Sequence, residues 1–114
     1  VTIGKGTVVM PNVVVNAKAI IGDGVILNSS CVVEHECIID DFVHISPKVA
    51  LAGDVKVGKF THIGIGSNVI QGIIIGKNVI VGGGSMVIRN IDDNQKVVGI
   101  PAHPIASNKG GGKL

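Results

Sequence analysis

Aliphatic residues recur along this chain with a period of six. Ile, Val or Leu stands at Ile3, Val9, Val15, Ile21, Leu27, Val33, Ile39, Ile45, Leu51, Val57, Ile63, Val69, Ile75, Val81 and Val87. These three residue types make up 40 of the 114 residues, so chance agreement over fifteen steps is about one in ten million. The residue two positions before each is small or β-branched, as at Thr7, Ala19, Val25, Cys31, Cys37, Val55, Thr61 and Ser85. Strand alternation turns both of these inward and the residue between them outward. The pattern therefore predicts very short strands joined by tight corners.

A second period of 18 lies on the first. Ile-Gly-Lys-Gly at 3, Ile-Gly-Asp-Gly at 21, Ile-Asp-Asp-Phe at 39, Val-Gly-Lys-Phe at 57 and Ile-Gly-Lys-Asn at 75 are spaced by 18. Three hexads close one coil, and residues 3–92 make five coils. Stacked at the inter-strand spacing, five coils rise roughly 24 Å. The expected fold is an all-β parallel solenoid over residues 1–92. Residues 93–114 break the period and are expected to form an irregular loop and tail. Asn108 to Leu114, with Gly110, Gly111 and Gly112, reads as a flexible end or a cloning remnant.

Composition agrees with this architecture. The chain holds 17 Gly, 19 Val and 18 Ile but only 3 Leu and 2 Phe, which excludes a helix bundle. With 46% apolar residues and a net charge of +2, it can bury a core, which argues against disorder. Corners need tight turns, and Gly4, Gly22, Gly58, Gly76, Gly64 and Gly82 are expected to supply positive φ there.

The charges narrow the partners. Lys and Arg are spread out, with no basic run and no aromatic platform, so no nucleic acid is expected. No apolar stretch approaches the roughly 20 residues of a membrane span. The first residue is Val, which suggests trimming or excision, and no export signal opens the chain. Two Cys without such a signal make a reducing cytoplasm the expected compartment. Both Cys occupy inward positions and are expected as buried thiols.

Outward mid-strand positions read Val8, Val14, Ile20, Ile26, Val32, Ile38, His44, Ala50, Lys56, His62, Asn68, Ile74, Ile80 and Met86. A mostly apolar outer wall marks an interface, and a three-sided column most simply closes into a homotrimer. Candidate chemistry falls where the wall turns polar. Glu34-His35-Glu36, followed by Asp40 and Asp41, holds four of the eight acidic residues. A carboxylate beside imidazole fixes its tautomer and favours the imidazolium, which suits His35 to general-base work. A solvated acidic turn is the alternative reading. His44 follows His35 by half a coil, so the two lie on different sides of one column and would meet only across a subunit cleft. His44 and His62 are 18 apart and stack on adjacent coils. They lack an obvious third ligand on the same chain, against the three or four that zinc requires, so no metal site is assigned. Phe42 and Phe60, also 18 apart, are expected to pack together at one corner.

The run from Val33 through Val-Glu-His-Glu-Cys-Ile-Ile-Asp-Asp-Phe-Val-His-Ile-Ser-Pro, with Leu-Ala-Gly-Asp-Val-Lys-Val-Gly, Ile-Gly-Ile-Gly and Val-Val-Gly-Ile-Pro-Ala, resembles the hexapeptide-repeat acetyltransferases. Within them it is most similar to the sialic acid O-acetyltransferase family, including sugar N-acetyltransferases acting on UDP-4-amino sugars. The resemblance implies a left-handed β-helix, acetyl-CoA as donor, a sugar or nucleotide-sugar acceptor and a trimer with interface sites. It implies His35 as catalytic base with Glu36 supporting it. It implies His44, Gly53, Ile65, Gly83 and Pro101 as acetyl-CoA-contacting positions. Family members usually carry an N-terminal nucleotide-binding α/β domain, which this sequence lacks, and Asp40 replaces the usual corner Gly. A γ-carbonic-anhydrase-like metalloenzyme using His44 and His62, and a non-catalytic trimeric β-helix module, are the alternatives.

Overall fold

A computed structural model describes residues 1–108. Its backbone is a parallel solenoid of two-residue strands, with no helix among the described residues. Face 1 stacks β1 (Thr2–Ile3), β4 (Ile20–Ile21), β7 (Ile38–Ile39), β10 (Lys56–Val57) and β13 (Ile74–Ile75). Face 2 stacks β2 (Val8–Val9), β5 (Ile26–Leu27), β8 (His44–Ile45), β11 (His62–Ile63) and β14 (Ile80–Val81). Face 3 stacks β3 (Val14–Val15), β6 (Val32–Val33), β9 (Ala50–Leu51), β12 (Asn68–Val69) and β15 (Met86–Val87). Every pairing in these stacks joins residues 18 apart, as in Thr2 with Ile20 and His44 with His62.

The hexad code builds the core. Ala19, Ile21, Val25, Leu27, Cys31, Val33, Cys37 and Ile39 begin a continuous buried column that runs to Val97. Each Val, Leu or Ile so buried contributes about 1.5–3 kcal/mol. Polar residues at inward positions are used as cross-coil bonds. Thr61 Oγ1 donates to the Gly76 carbonyl (2.7 Å) and accepts from the Val79 N–H (3.1 Å). Ser67 does the same for Gly82 and Ser85 at 3.1 and 3.2 Å. These small hydroxyls replace backbone partners that a corner would otherwise leave unpaired.

The glycine expectation needs correction. Gly4, Gly22, Gly58, Gly76, Gly64 and Gly82 do not have positive φ. The left-handed position is the third residue of each corner, where type II turns require it. Ten non-glycine residues hold it: Asn12, Lys18, Ser30, Glu36, Phe42, Lys48, Asp54, Phe60, Asn78 and Asn94. The glycines answer a different demand, close approach between coils. A Cβ on Gly58 would lie 2.6 Å from the Gly76 carbonyl carbon and 2.6 Å from the Lys77 nitrogen. A Cβ on Gly22 would lie 2.9 Å from the Asp41 nitrogen.

The C-terminal segment also differs from the irregular loop expected. β16 (Gln95–Gly99) joins face 2 beside β14 and turns into the antiparallel β17 (Ala102–Ser107). Here the repeat is shortened, since Ile80 pairs with Lys96 and Ile75 bridges Ile91, each 16 apart. Where β16 extends face 2, Ile80 is buried to 3% exposure, although its hexad position points outward. Asn108 is not a loose end: it is buried, and its Nδ2 donates to the Asn78 carbonyl at 3.0 Å. The remainder of the expected tail, residues 109–114, lies outside the described residues.

Candidate active site

The Glu34-His35-Glu36 run forms the corner that links β6 to β7, between faces 3 and 1. Its backbone is pinned on both sides, by the Glu36 N–H to the Ala17 carbonyl (3.0 Å) and the Asp54 N–H to the His35 carbonyl (2.9 Å). The left-handed conformation of Glu36 (φ 62°) sets the direction of its side chain. Its Oε1 lies 3.4 Å from His35 Nδ1, and both side chains are more than half exposed. Among the described residues this is the one ion-pair contact.

One coil further, Gly53 lies against the imidazole. A Cβ there would collide with His35 Nε2 and Cε1, so the ring occupies space that only glycine leaves. The Gly53 N–H donates to no described residue. The corner thus places a ring nitrogen and an unspent backbone donor side by side, a pairing suited to proton transfer next to a developing negative charge.

Neighbouring polar groups that the hexad pattern alone did not single out complete this region. Asn16, one coil below, donates its Nδ2–H to Glu34 Oε1 at 2.6 Å. That bond takes Glu34 away from the imidazole and leaves Glu36 as the carboxylate in contact with it. The 18-residue spacing of Asn16 and Glu34 was the available signal. On face 2, Asn28 Nδ2–H donates to His44 Nε2 at 3.3 Å. Its amide orientation is set by Oδ1 accepting the Ser29 N–H at 2.8 Å.

His44 and His62 stack as expected, with ring centroids 4.5 Å apart and a 73° angle between planes. Ser46 Oγ lies 3.2 Å from His62 Nε2. No group of three or more His, Cys, Asp or Glu side chains gathers among the described residues. The structure does not bring His35 and His44 together within one chain: one is on the face 3–1 corner and the other on face 2. Ile65 and Gly83 share the corner between faces 2 and 3, where a Cβ on Gly83 would touch Ile65 Cγ2 at 3.2 Å. At Gly66 and Gly84 beside them, a Cβ would meet nothing within 4 Å, so this corner presents bare backbone. Pro101 sits at the tip of the β16–β17 hairpin, after a cis peptide bond from Ile100.

The remaining candidates are structural. Phe42 and Phe60 stack with centroids 5.5 Å apart and a 7° angle, but at the surface, 55% and 60% exposed. Cys31 and Cys37 are free and buried. Burial pushes the Cys31 thiol up to about 11, and burial likewise raises Cys37, whose Sγ–H donates to the Ala52 carbonyl at 3.2 Å. Neither is activated as a nucleophile. No helix long and apolar enough to cross a membrane occurs among the described residues.

Fold and repeat together define a hexapeptide-repeat protein whose solenoid matches a left-handed β-helix. Residues 1–35 match the family described as bacterial transferase hexapeptide (six repeats). Among solved structures, the chain is similar to the acetyltransferase domain of PglB from Neisseria gonorrhoeae in complex with acetyl coenzyme A. Identity there is 40% over 91% of this chain and 51% of that one, with a TM-score of 0.91. It is similar to a mutant of perosamine N-acetyltransferase from Caulobacter crescentus in complex with CoA and GDP-perosamine, at 39% identity over 93% of this chain and 50% of that one, TM-score 0.92. WeeI from Acinetobacter baumannii matches at 30% identity over 91% of this chain and 51% of that one, TM-score 0.89. The chain therefore spans about half the length of these relatives. A comparison with curated protein sequences finds no match.

Proposed function

We propose that this chain is the catalytic β-helix of an acetyl-CoA-dependent acetyltransferase that modifies an amine or hydroxyl of a sugar or nucleotide-sugar. The observation that carries the reading is the His35–Gly53 pair, an imidazole lodged where a Cβ would stand, beside a free N–H. The solved relatives support the donor and the acceptor class, since two of them hold acetyl-CoA or CoA and one holds GDP-perosamine. The sialic acid O-acetyltransferase family remains the best placement within the fold.

Acetyl-CoA supplies the acyl group as a thioester. His35 Nε2 accepts the acceptor's proton as the acyl carbon exchanges sulfur for nitrogen or oxygen, and then returns it to the departing sulfur. Glu36 Oε1, facing Nδ1, holds the ring in the tautomer that leaves Nε2 free and stabilises the imidazolium that forms. The Gly53 N–H steadies the charge that develops on the carbonyl oxygen. The bare backbone at Gly66, Gly83 and Gly84, beside the exposed Ile65 side chain, fits the amide-bearing arm of CoA, with His44 on face 2 and Pro101 at the hairpin tip as the further contacts.

His35 and this second set lie on different corners, so a complete site needs two chains. The exposed outward residues Val8, Val14, Ile20, Ile38 and Ile74 supply the apolar contact of a homotrimer, with three sites at its interfaces. The working compartment is the cytoplasm, where acetyl-CoA and nucleotide-sugars are available. The test is titration with acetyl-CoA, followed by a screen of amino sugars, sialic acids and their nucleotide forms. His35→Ala is expected to abolish transfer while leaving the assembly and CoA binding intact. Undiminished transfer by that variant would refute the assignment.

A further inference from the structure

Face 2 carries two imidazoles, and the fold holds both in the same way. His44 stands on β8 and His62 directly above it on β11, in register. Each ring meets a polar group of the corner residue 16 positions earlier. Asn28 Nδ2 lies 3.3 Å from His44 Nε2, and Ser46 Oγ lies 3.2 Å from His62 Nε2. Asn28 and Ser46 occupy the first position of successive corners between faces 2 and 3. One coil higher that position is Gly64, and the residue 16 beyond it is Ile80, which needs no polar partner. The bracket therefore stops where the imidazoles stop.

The two rings differ in how firmly their surroundings hold them. His44 pairs below with the exposed Ile26, whose side chain offers no polar grip. An outward side chain on a strand has two common χ1 rotamers, and the 3.3 Å bond to Asn28 is a long one. His62 closes the other side, with centroids 4.5 Å apart and a 73° angle between planes. That edge-to-face arrangement is attractive, because the positive edge of one ring meets the negative face of the other. His62 is held better. Its Ser46 partner is 5% exposed and fixed by its own N–H bond to the Ile63 carbonyl at 3.1 Å. The strand above it carries Ile80, the one outward face-2 residue that is buried, beneath β16.

We infer that His62 is a positioning residue: it holds the His44 ring edge-on against Asn28, so that His44 meets acetyl-CoA in a single orientation. The inference rests on the acetyltransferase reading above, in which His44 touches the donor. It adds a residue that acts on the donor only through His44. Without the buttress, the His44 ring is ordered at the moment of binding, and ordering one side chain weakens affinity about fivefold. The loss falls on the KM for acetyl-CoA rather than on kcat, because His35 and Gly53 stand on another corner and keep their geometry.

A double-variant cycle read by calorimetric titration of the whole chain with acetyl-CoA tests this. His62→Ala is expected to weaken binding about fivefold. His62→Phe, which keeps a ring against His44 and gives up only the Ser46 bond, restores most of it. His44→Ala weakens binding by itself, and His62→Ala added to it costs nothing more, since the ring it positions is gone. A His62→Ala loss that persists undiminished in the His44→Ala background marks a direct contact or a defect of assembly and overturns the inference. Wild-type affinity in His62→Ala, or a His62→Phe variant as weak as His62→Ala, overturns it as well. Failure of the wild-type chain to bind acetyl-CoA brings down the donor assignment itself, and this role with it.

Discussion

Two corners of the same solenoid share a backbone and differ in what their side chains do. At the corner between faces 1 and 2, the side chains serve the stack. Asp23 accepts the Lys5 N–H, Asp41 accepts the Asp23 N–H, and Asp93 accepts the Lys77 N–H, each at 2.8 Å. The glycines below them leave room for those carboxylates and for the backbone of the next coil. At the corner between faces 3 and 1, His35 and Glu36 make no such bond, and the glycine above makes room for an imidazole. A repeat protein can keep its geometry at every corner and free one of them for chemistry.

The same substitution separates the two. Gly58→Ala pushes a methyl group into the Gly76 and Lys77 backbone at 2.6 Å, which has no rotamer by which to escape. A loss of about 3 kcal/mol is expected in denaturant unfolding. Gly53→Ala meets only a side chain, the half-exposed His35, which can swing away. It is expected to cost less than about 1 kcal/mol of stability. Displacing the base and the donor it faces should lower kcat for acetyl transfer about 100-fold. A Gly53→Ala variant that unfolds like Gly58→Ala, or that transfers like wild type, would erase the distinction.

The hexad made the strands, the three faces and the core legible, because each rung of an 18-residue coil repeats one inward and outward code. The site was legible as a departure from that code at Glu34-His35-Glu36. Three things were not legible. The positive-φ residues are mostly non-glycine, because ladder bonds on neighbouring coils hold them where propensity alone would place Gly. The β16–β17 hairpin has no period to announce it, and it depends on pairing with β14 across a two-residue shift. The bond that draws Glu34 away from the ring comes from Asn16, on another coil, whereas Glu36 as the partner of His35 was already implied by the family resemblance.

The core beneath both corners is the same, and alkali probes it. Cys31 is raised to about 11 by burial, so the thiol stays protonated in the folded chain while an unfolded one ionises near 8.5. The unfolded state therefore binds fewer protons, and stability falls as pH rises through that window. The full loss is roughly 2–3 kcal/mol by pH 11, with a further contribution from Cys37, whose shift has the same sign. Comparing the wild-type unfolding midpoint with that of a Cys31→Ala variant between pH 8 and pH 11 isolates it. A pH dependence identical in the two would show that this thiol is not shielded.

The smallest effect separates a ladder carboxylate from a site carboxylate. Asp41→Ala removes the acceptor of the Asp23 N–H and should cost about 1 kcal/mol, since an exposed backbone donor recovers part of its bond from water. Glu34→Ala removes a bond to the Asn16 side chain only, and that amide can turn to solvent, so a few tenths of a kcal/mol are expected. Measured by denaturant unfolding, a cost for Glu34→Ala equal to that of Asp41→Ala would make the 3–1 corner another part of the scaffold. The expected gap instead means that Asn16 and Glu34 contribute little to the fold and a great deal to keeping a second carboxylate off the His35 ring.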